Sequence, residues 1–126
     1  MKKMLLCALL ATSIVPAATA QETPTSSPLK FTNDGKFSID CRVYFGSTII
    51  SFNRVLPGTV SAKTIVRSLT ERNAVCKVSD KPATSPYTSN LLKFHTSDYA
   101  DYNIVCTSTV YETAPRLTCV LNKTAL

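Results

Sequence analysis

Between Phe37 and Phe45 the apolar residues fall on every second position: Phe37, Ile39, Cys41, Val43 and Phe45. Ser38, Asp40, Arg42 and Tyr44 lie between them. A period of two sends one set to each face of an extended strand. Gly46-Ser47 follows, and glycine first in a two-residue loop suits a type II′ turn, because glycine tolerates positive φ. The chain returns through Thr48–Leu56, rich in β-branched residues. Facing Phe45 with Thr48 sets Val43 against Ile50, Cys41 against Phe52 and Phe37 against Leu56. Arg54, opposite Ile39, is the one interruption of an otherwise apolar side. The stretch predicts a β-hairpin with one buried face.

The beginning of the chain predicts export. Lys2 and Lys3, the apolar run Met4–Val15 and the small residues Ala18-Thr19-Ala20 have the three-part form of a cleaved signal peptide, and the Met-Lys-Lys start is that of a bacterial one. The apolar run is shorter than the roughly 20 residues a spanning helix needs, and no later stretch approaches that length. The expected mature form therefore starts at Gln21, in the periplasm or outside the cell, with no stable membrane span. Two lysines leave with the signal, so the formal charge falls by two from +6. No Lys/Arg run is interleaved with aromatics, which argues against nucleic acid as a partner.

Cys7 also leaves, and Cys41, Cys76, Cys106 and Cys119 remain. An even number in a small exported domain predicts two disulfides. A metal centre would need close pairs such as C-x-x-C, and none occurs. Of the three possible connectivities, Cys41–Cys76 with Cys106–Cys119 is the favoured one.

The remaining chain divides by composition. Gln21–Gly35, with two prolines, several Ser/Thr and a closing Asn33-Asp34-Gly35 turn, reads as a flexible arm, and 36–126 as a single domain. Pro57-Gly58 ends the second strand. In Thr59–Arg72, Ala62, Ile65, Val66 and Leu69 are spaced i, i+3, i+4, i+7, the stripe of an amphipathic helix with Lys63, Arg67 and Arg72 facing water. Ala74–Ser79 alternates as a strand, Asp80–Asn90 is a long loop with two prolines, and Leu91–His95 is a short strand. Tyr102–Tyr111 and Arg116–Asn122 form a second hairpin about Glu112–Pro115. With Tyr111 facing Arg116, its cysteines sit diagonally; a tighter turn at Glu112-Thr113 shifts the register by two and sets them opposite. The order β-β-α-β-β-β-β predicts an α+β domain, a mainly antiparallel sheet of about six short strands with one helix on one face.

Chemistry is sparse. His95, the sole histidine, with Asp98 or Asp101 to orient it and a nearby hydroxyl, would be the centre of a small secreted hydrolase. Glu71, Arg72 and His95 are residue types that secreted ribonucleases use, but no motif of such families surrounds them. Gly35, Gly46 and Gly58 all mark turns, so no phosphate-cradling loop exists, and no cofactor or metal is expected. The surface offers more. Arg42 and Tyr44, with Ile49 across the hairpin, are residue types suited to protein contacts, and Tyr87, Tyr99 and Tyr102 fall in or beside the late loops. The expected function is that of a small exported, non-enzymatic binding or accessory protein of the bacterial envelope, for example in assembling a secretion or surface structure. A secreted effector, toxin subunit or enzyme inhibitor is the alternative among binding proteins, and the His95 hydrolase the alternative of another class.

Overall fold

A computed structural model describes residues 24–111 and 114–126. Eight strands run in order: β1 (Ser26–Asn33), β2 (Ile39–Phe45), β3 (Thr48–Val55), β4 (Val60–Val66), β5 (Arg72–Val78), β6 (Leu92–Phe94), β7 (Ala100–Tyr111) and β8 (Ala114–Ala125). They form two four-stranded sheets, β4-β1-β7-β8 and β3-β2-β5-β6. The inner faces meet in one core, where the Phe31 and Phe52 rings lie 5.7 Å apart and Phe94 stacks near Tyr102. The protein is therefore an all-β sandwich, which corrects the α+β expectation. The described residues contain no helix, and so none long and apolar enough to cross a membrane. The expected signal peptide, residues 1–20, lies outside them.

The first hairpin has the anticipated register, with Phe45 opposite Thr48, Val43 opposite Ile50 and Cys41 opposite Phe52. Gly46 has φ 59°, the positive value its turn demands. Beyond Cys41 the register shifts, and Ile39 faces Val55 instead of Arg54. This bulge places Arg54 at φ 49°, its N–H on Asp40 and its guanidinium on Asp80. The extra residue removes the charge from the inner face and lets Val55 fill the place.

The expected helix over Thr59–Arg72 is instead β4, a turn, and the start of β5. Pro57-Gly58 reverses the chain, and Gly58 N–H donates to Asn33 O at 2.7 Å while Asn33 N–H donates to Thr59 O at 3.0 Å. These bonds start an antiparallel ladder between β1 and β4 that runs from Thr32–Val60 to Ser26–Val66. Of the four residues in the supposed helical stripe only Ile65 is buried, and Leu69 is 81% exposed. Val60, Thr64, Ile65 and Val66 are β-branched, and an edge strand needs little apolar patterning when one backbone side is already paired. Arg72, expected in water, is buried, where it bonds Thr96 Oγ1 and Val66 O and lies 3.9 Å from the centre of the Phe45 ring.

The expected flexible arm is also corrected over most of its described length. β1 lies between β4, antiparallel, and β7, parallel. Ser27, Leu29, Phe31 and Asn33 point inward. Asn33 is fully buried and works as a local clamp: its amide donates to Phe37 O and Val55 O, both at 2.8 Å, and its Oδ1 accepts from Gly35 N–H at 2.8 Å. Gly35 beside it has no room for a side chain, since a Cβ there would sit 2.4 Å from Ser108 Oγ, the acceptor for Lys36 N–H. Gly35→Ala should therefore cost about 1–3 kcal/mol in urea unfolding, as overpacking does. In a double-mutant cycle, Ser108→Gly should recover part of that loss.

Both expected disulfides are present. Cys41–Cys76 joins β2 to β5 and Cys106–Cys119 joins β7 to β8, each between directly opposed residues. The second pairing follows from the tighter register, with Tyr111 opposite Ala114. Ala114 and Pro115 thus belong to β8 and not to a four-residue loop, while residues 112 and 113 lie outside the described set. Cys76 C=O accepts from Ser89 N–H and Cys76 N–H donates to Ser89 Oγ, while Cys119 N–H and C=O bond the Asn90 side-chain amide, so both cysteines turn these groups away from their disulfide partners. Each bridge thus occupies a non-hydrogen-bonded pair, the closer kind, with Cα separations of 4.0 and 4.1 Å. The dipeptide Ser89-Asn90 ties one cystine strand of each sheet to the other.

Candidate contact surface

β2 is a central strand, flanked by β3 and β5. The residues that alternate with its buried set must therefore meet solvent in the middle of that sheet's outer face. Arg42 lies there between Ser51 and Val75, with Tyr44 and Asp40 two residues to either side. Tyr44 stands opposite Ile49, which is 51% exposed. The structure thus brings three of the expected contact residues, Arg42, Tyr44 and Ile49, onto one patch. Arg42 and Tyr44 line a concavity of about 320 Å³, together with Asp40, Asn53, Val75, Cys76 and Lys77. Ala83 and Thr88 close it from above.

That upper wall is held in place. Thr88 bridges to Lys77, Val78 N–H donates to Tyr87 O at 2.9 Å, and Tyr87 N–H donates to Thr84 O at 2.8 Å. The loop after β5 is pinned to the strand whose outer face it shades. Tyr87 belongs to this loop, half-buried, with Lys81 Nζ 5.5 Å above its ring. Tyr99 is 40% exposed and precedes β7, in the other sheet. Tyr102 is a correction: it is 1% exposed, a core residue whose hydroxyl donates to Asp98 O at 2.8 Å. Its β7 position alternates with outward residues, and register places it inside.

Asp40 and Lys77 form the charged end of the concavity. Burial by itself would raise the Asp40 pKa, but the Arg54 N–H, the Ser79 hydroxyl (both 2.7 Å) and Lys77 Nζ (3.5 Å) together hold it below the ordinary 3.8. A carboxylate with a depressed folded pKa stabilises the fold above its unfolded value, and that stabilisation is lost as pH falls through the folded one. Asp40→Asn should accordingly lower the thermal midpoint at pH 7, with the gap to the parent closing as pH drops below about 3.8. A gap independent of pH would refute the assignment.

Asp40, Asn53 and Lys77 were not singled out from the sequence, yet a signal for two of them existed. If Cys41 opposes Cys76 in antiparallel strands, Asp40 must face Lys77 and Arg42 must face Val75, as they do.

The His95 cluster is assembled differently from a catalytic triad. His95 is exposed, and its Nδ1 lies 2.9 Å from Ser97 Oγ. Asp98 is engaged by Lys123 at 2.6 Å, whose hydrogen bond and charge hold the carboxyl below its usual range. Asp101 is engaged by Lys30 at 2.9 Å. Among the described residues no carboxylate hydrogen-bonds the imidazole.

The sulfurs of Cys76, Cys106 and Cys119 lie within 4.8 Å of one another in the core, a spacing that thiolates would need to hold a metal. Here all three belong to disulfides. No family model and no curated protein matches this chain.

Proposed function

We propose that the protein is an exported, non-enzymatic binding module of the bacterial envelope that acts through protein contacts made by the outer face of β3-β2-β5-β6. The observation that carries this reading is the grouping of Arg42, Tyr44 and exposed Ile49 around a concavity with a fixed upper wall. An aromatic, an arginine and an aliphatic side chain on one patch are the residue types that anchor protein interfaces. Two disulfides fit an oxidising compartment, where such a partner would be met. Assembly of a secretion or surface structure is the role this suits, and an effector or inhibitor released to the medium is its variant.

A photoreactive benzoylphenylalanine at Ile49, compared with one at exposed Thr118 on the opposite sheet, tests this in the organism that encodes the chain. A discrete adduct is expected at Ile49, absent at Thr118 and lost with Tyr44→Ala. Equal adducts at both sites, or none, would refute the reading. Fractionation of the same culture separates periplasm from medium, and mass spectrometry checks for a mature start at Gln21.

The second reading, a small hydrolase using His95, is favoured by the approach of Ser97 to the imidazole. Unchanged turnover in His95→Ala would end it.

A further inference from the structure

The contact surface has a chemical preference that follows from how the arginines are spent. Arg54 is paired with Asp80, Arg67 donates to the carbonyls of Pro24 and Ser97, and Arg72 donates to Val66 O and Thr96. Arg116 is engaged too. Arg42 is the one arginine among the described residues with no hydrogen bond, ion pair or ring contact, and it lines the concavity. The acid nearest to it in the strand, Asp40, is committed to Ser79, Lys77 and the Arg54 N–H, and so does not neutralise it.

We infer that this concavity seats the carboxylate of an aspartate or glutamate side chain carried by an extended segment of the partner protein, with Arg42 as its anchor. The inference rests on the contact-surface reading above. A guanidinium presents donors in a planar fork matched to a carboxylate, so an exposed, unspent one lining a recess is placed for bidentate capture. Tyr44 and Asn53 add neutral polar groups beside it, and Val75 and Ala83 supply apolar contact for the methylenes of the incoming side chain. The volume is at the low end of the roughly 300–1,000 Å³ typical of ligand pockets, room for a side chain or two and not for a folded element. A phosphodiester chain needs a track of cations, whereas among the described residues lining the recess Arg42 is the one cation left unpaired, Lys77 being engaged by Asp40.

The test is selection of displayed random heptapeptides on the oxidised protein, in parallel on Arg42→Gln and Tyr44→Ala. The expected result is a set of Tyr44-dependent peptides sharing Asp or Glu at one position. A synthetic member of that set should bind Arg42→Gln at least about tenfold more weakly, the scale of a charge-assisted pair. Exchanging its acid for the amide should weaken binding to the parent protein equally, and Arg42→Glu should select Lys or Arg at that position instead. Tyr44-dependent peptides with no shared acid, or with an acid indifferent to Arg42→Gln, overturn the inference and leave the contact surface standing. Absence of any Tyr44-dependent peptide overturns both. Should Arg42→Gln fold poorly, the acid-to-amide exchange on the parent protein decides alone.

Discussion

Replacing Cys41 and Cys76 together by alanine should cost the fold about 4 kcal/mol in urea unfolding, against about 3 for the Cys106/Cys119 pair, from loop-closure entropy. The difference follows from the chain closed by each bridge, 35 residues in one case and 13 in the other. Small domains have only about 5–15 kcal/mol of net stability, so loss of both bridges should leave little or no folded protein. Because sulfurs of the two bridges lie within 4.8 Å of one another, the two losses should not simply add. Removing one cystine also removes the packing surface of the other. Equal effects of the two pairs would show that chain entropy is not what the bridges supply.

Phe31→Ala should destabilise the protein by about 3–5 kcal/mol, the range for deleting a fully buried phenylalanine. Phe31 has no exposure, lies among the core residues of both sheets and faces the Phe52 ring. The size of the effect separates two descriptions of the N-terminal segment. A solvated arm would give a change within about 0.5 kcal/mol, as surface substitutions do. A central strand gives the full cavity cost, and Leu29→Ala, in the same inward row, should behave alike.

The alternation that makes β1 a strand was present in its sequence, since Leu29 and Phe31 are two apart. Prolines and hydroxyl residues around them concealed it. Pro28 is tolerated because pairing with β7 begins only at Leu29. The inward positions before and after the two apolar ones are polar, and Asn33 is acceptable there because the fold fills all of its bonding positions named above. Polarity by itself therefore said "arm", and only the tertiary bonds reverse it. In β4 the error ran the other way. The spacing of Ala62, Ile65, Val66 and Leu69 is a sound helical stripe, but only Ile65 of the four is buried, and β1 offers the segment a ladder of backbone bonds instead.

The contact surface was legible in part. Arg42, Tyr44 and Ile49 came from the polar phase of one hairpin, where neighbours in sequence are neighbours in space. Asp40–Lys77 and the wall formed by Ala83 and Thr88 needed a register between β2 and β5, more than thirty residues apart. Tyr102 was misplaced for a related reason: nothing local tells which phase of a long strand faces the core.

By itself the sequence determined the β2–β3 hairpin with its glycine turn, the expectation of two disulfides among four cysteines and the existence of a β7–β8 hairpin, while the pairing it favoured was decided by the strand registers of the structure. Those features depend on period, turn chemistry and short closures. The tertiary structure alone decided that β1 is a central strand, that residues 60–66 are extended, and that Arg42 faces a walled recess. Each of these rests on partners far away in the chain, whose backbone bonds and burial outweigh the weak local preference of the segment itself.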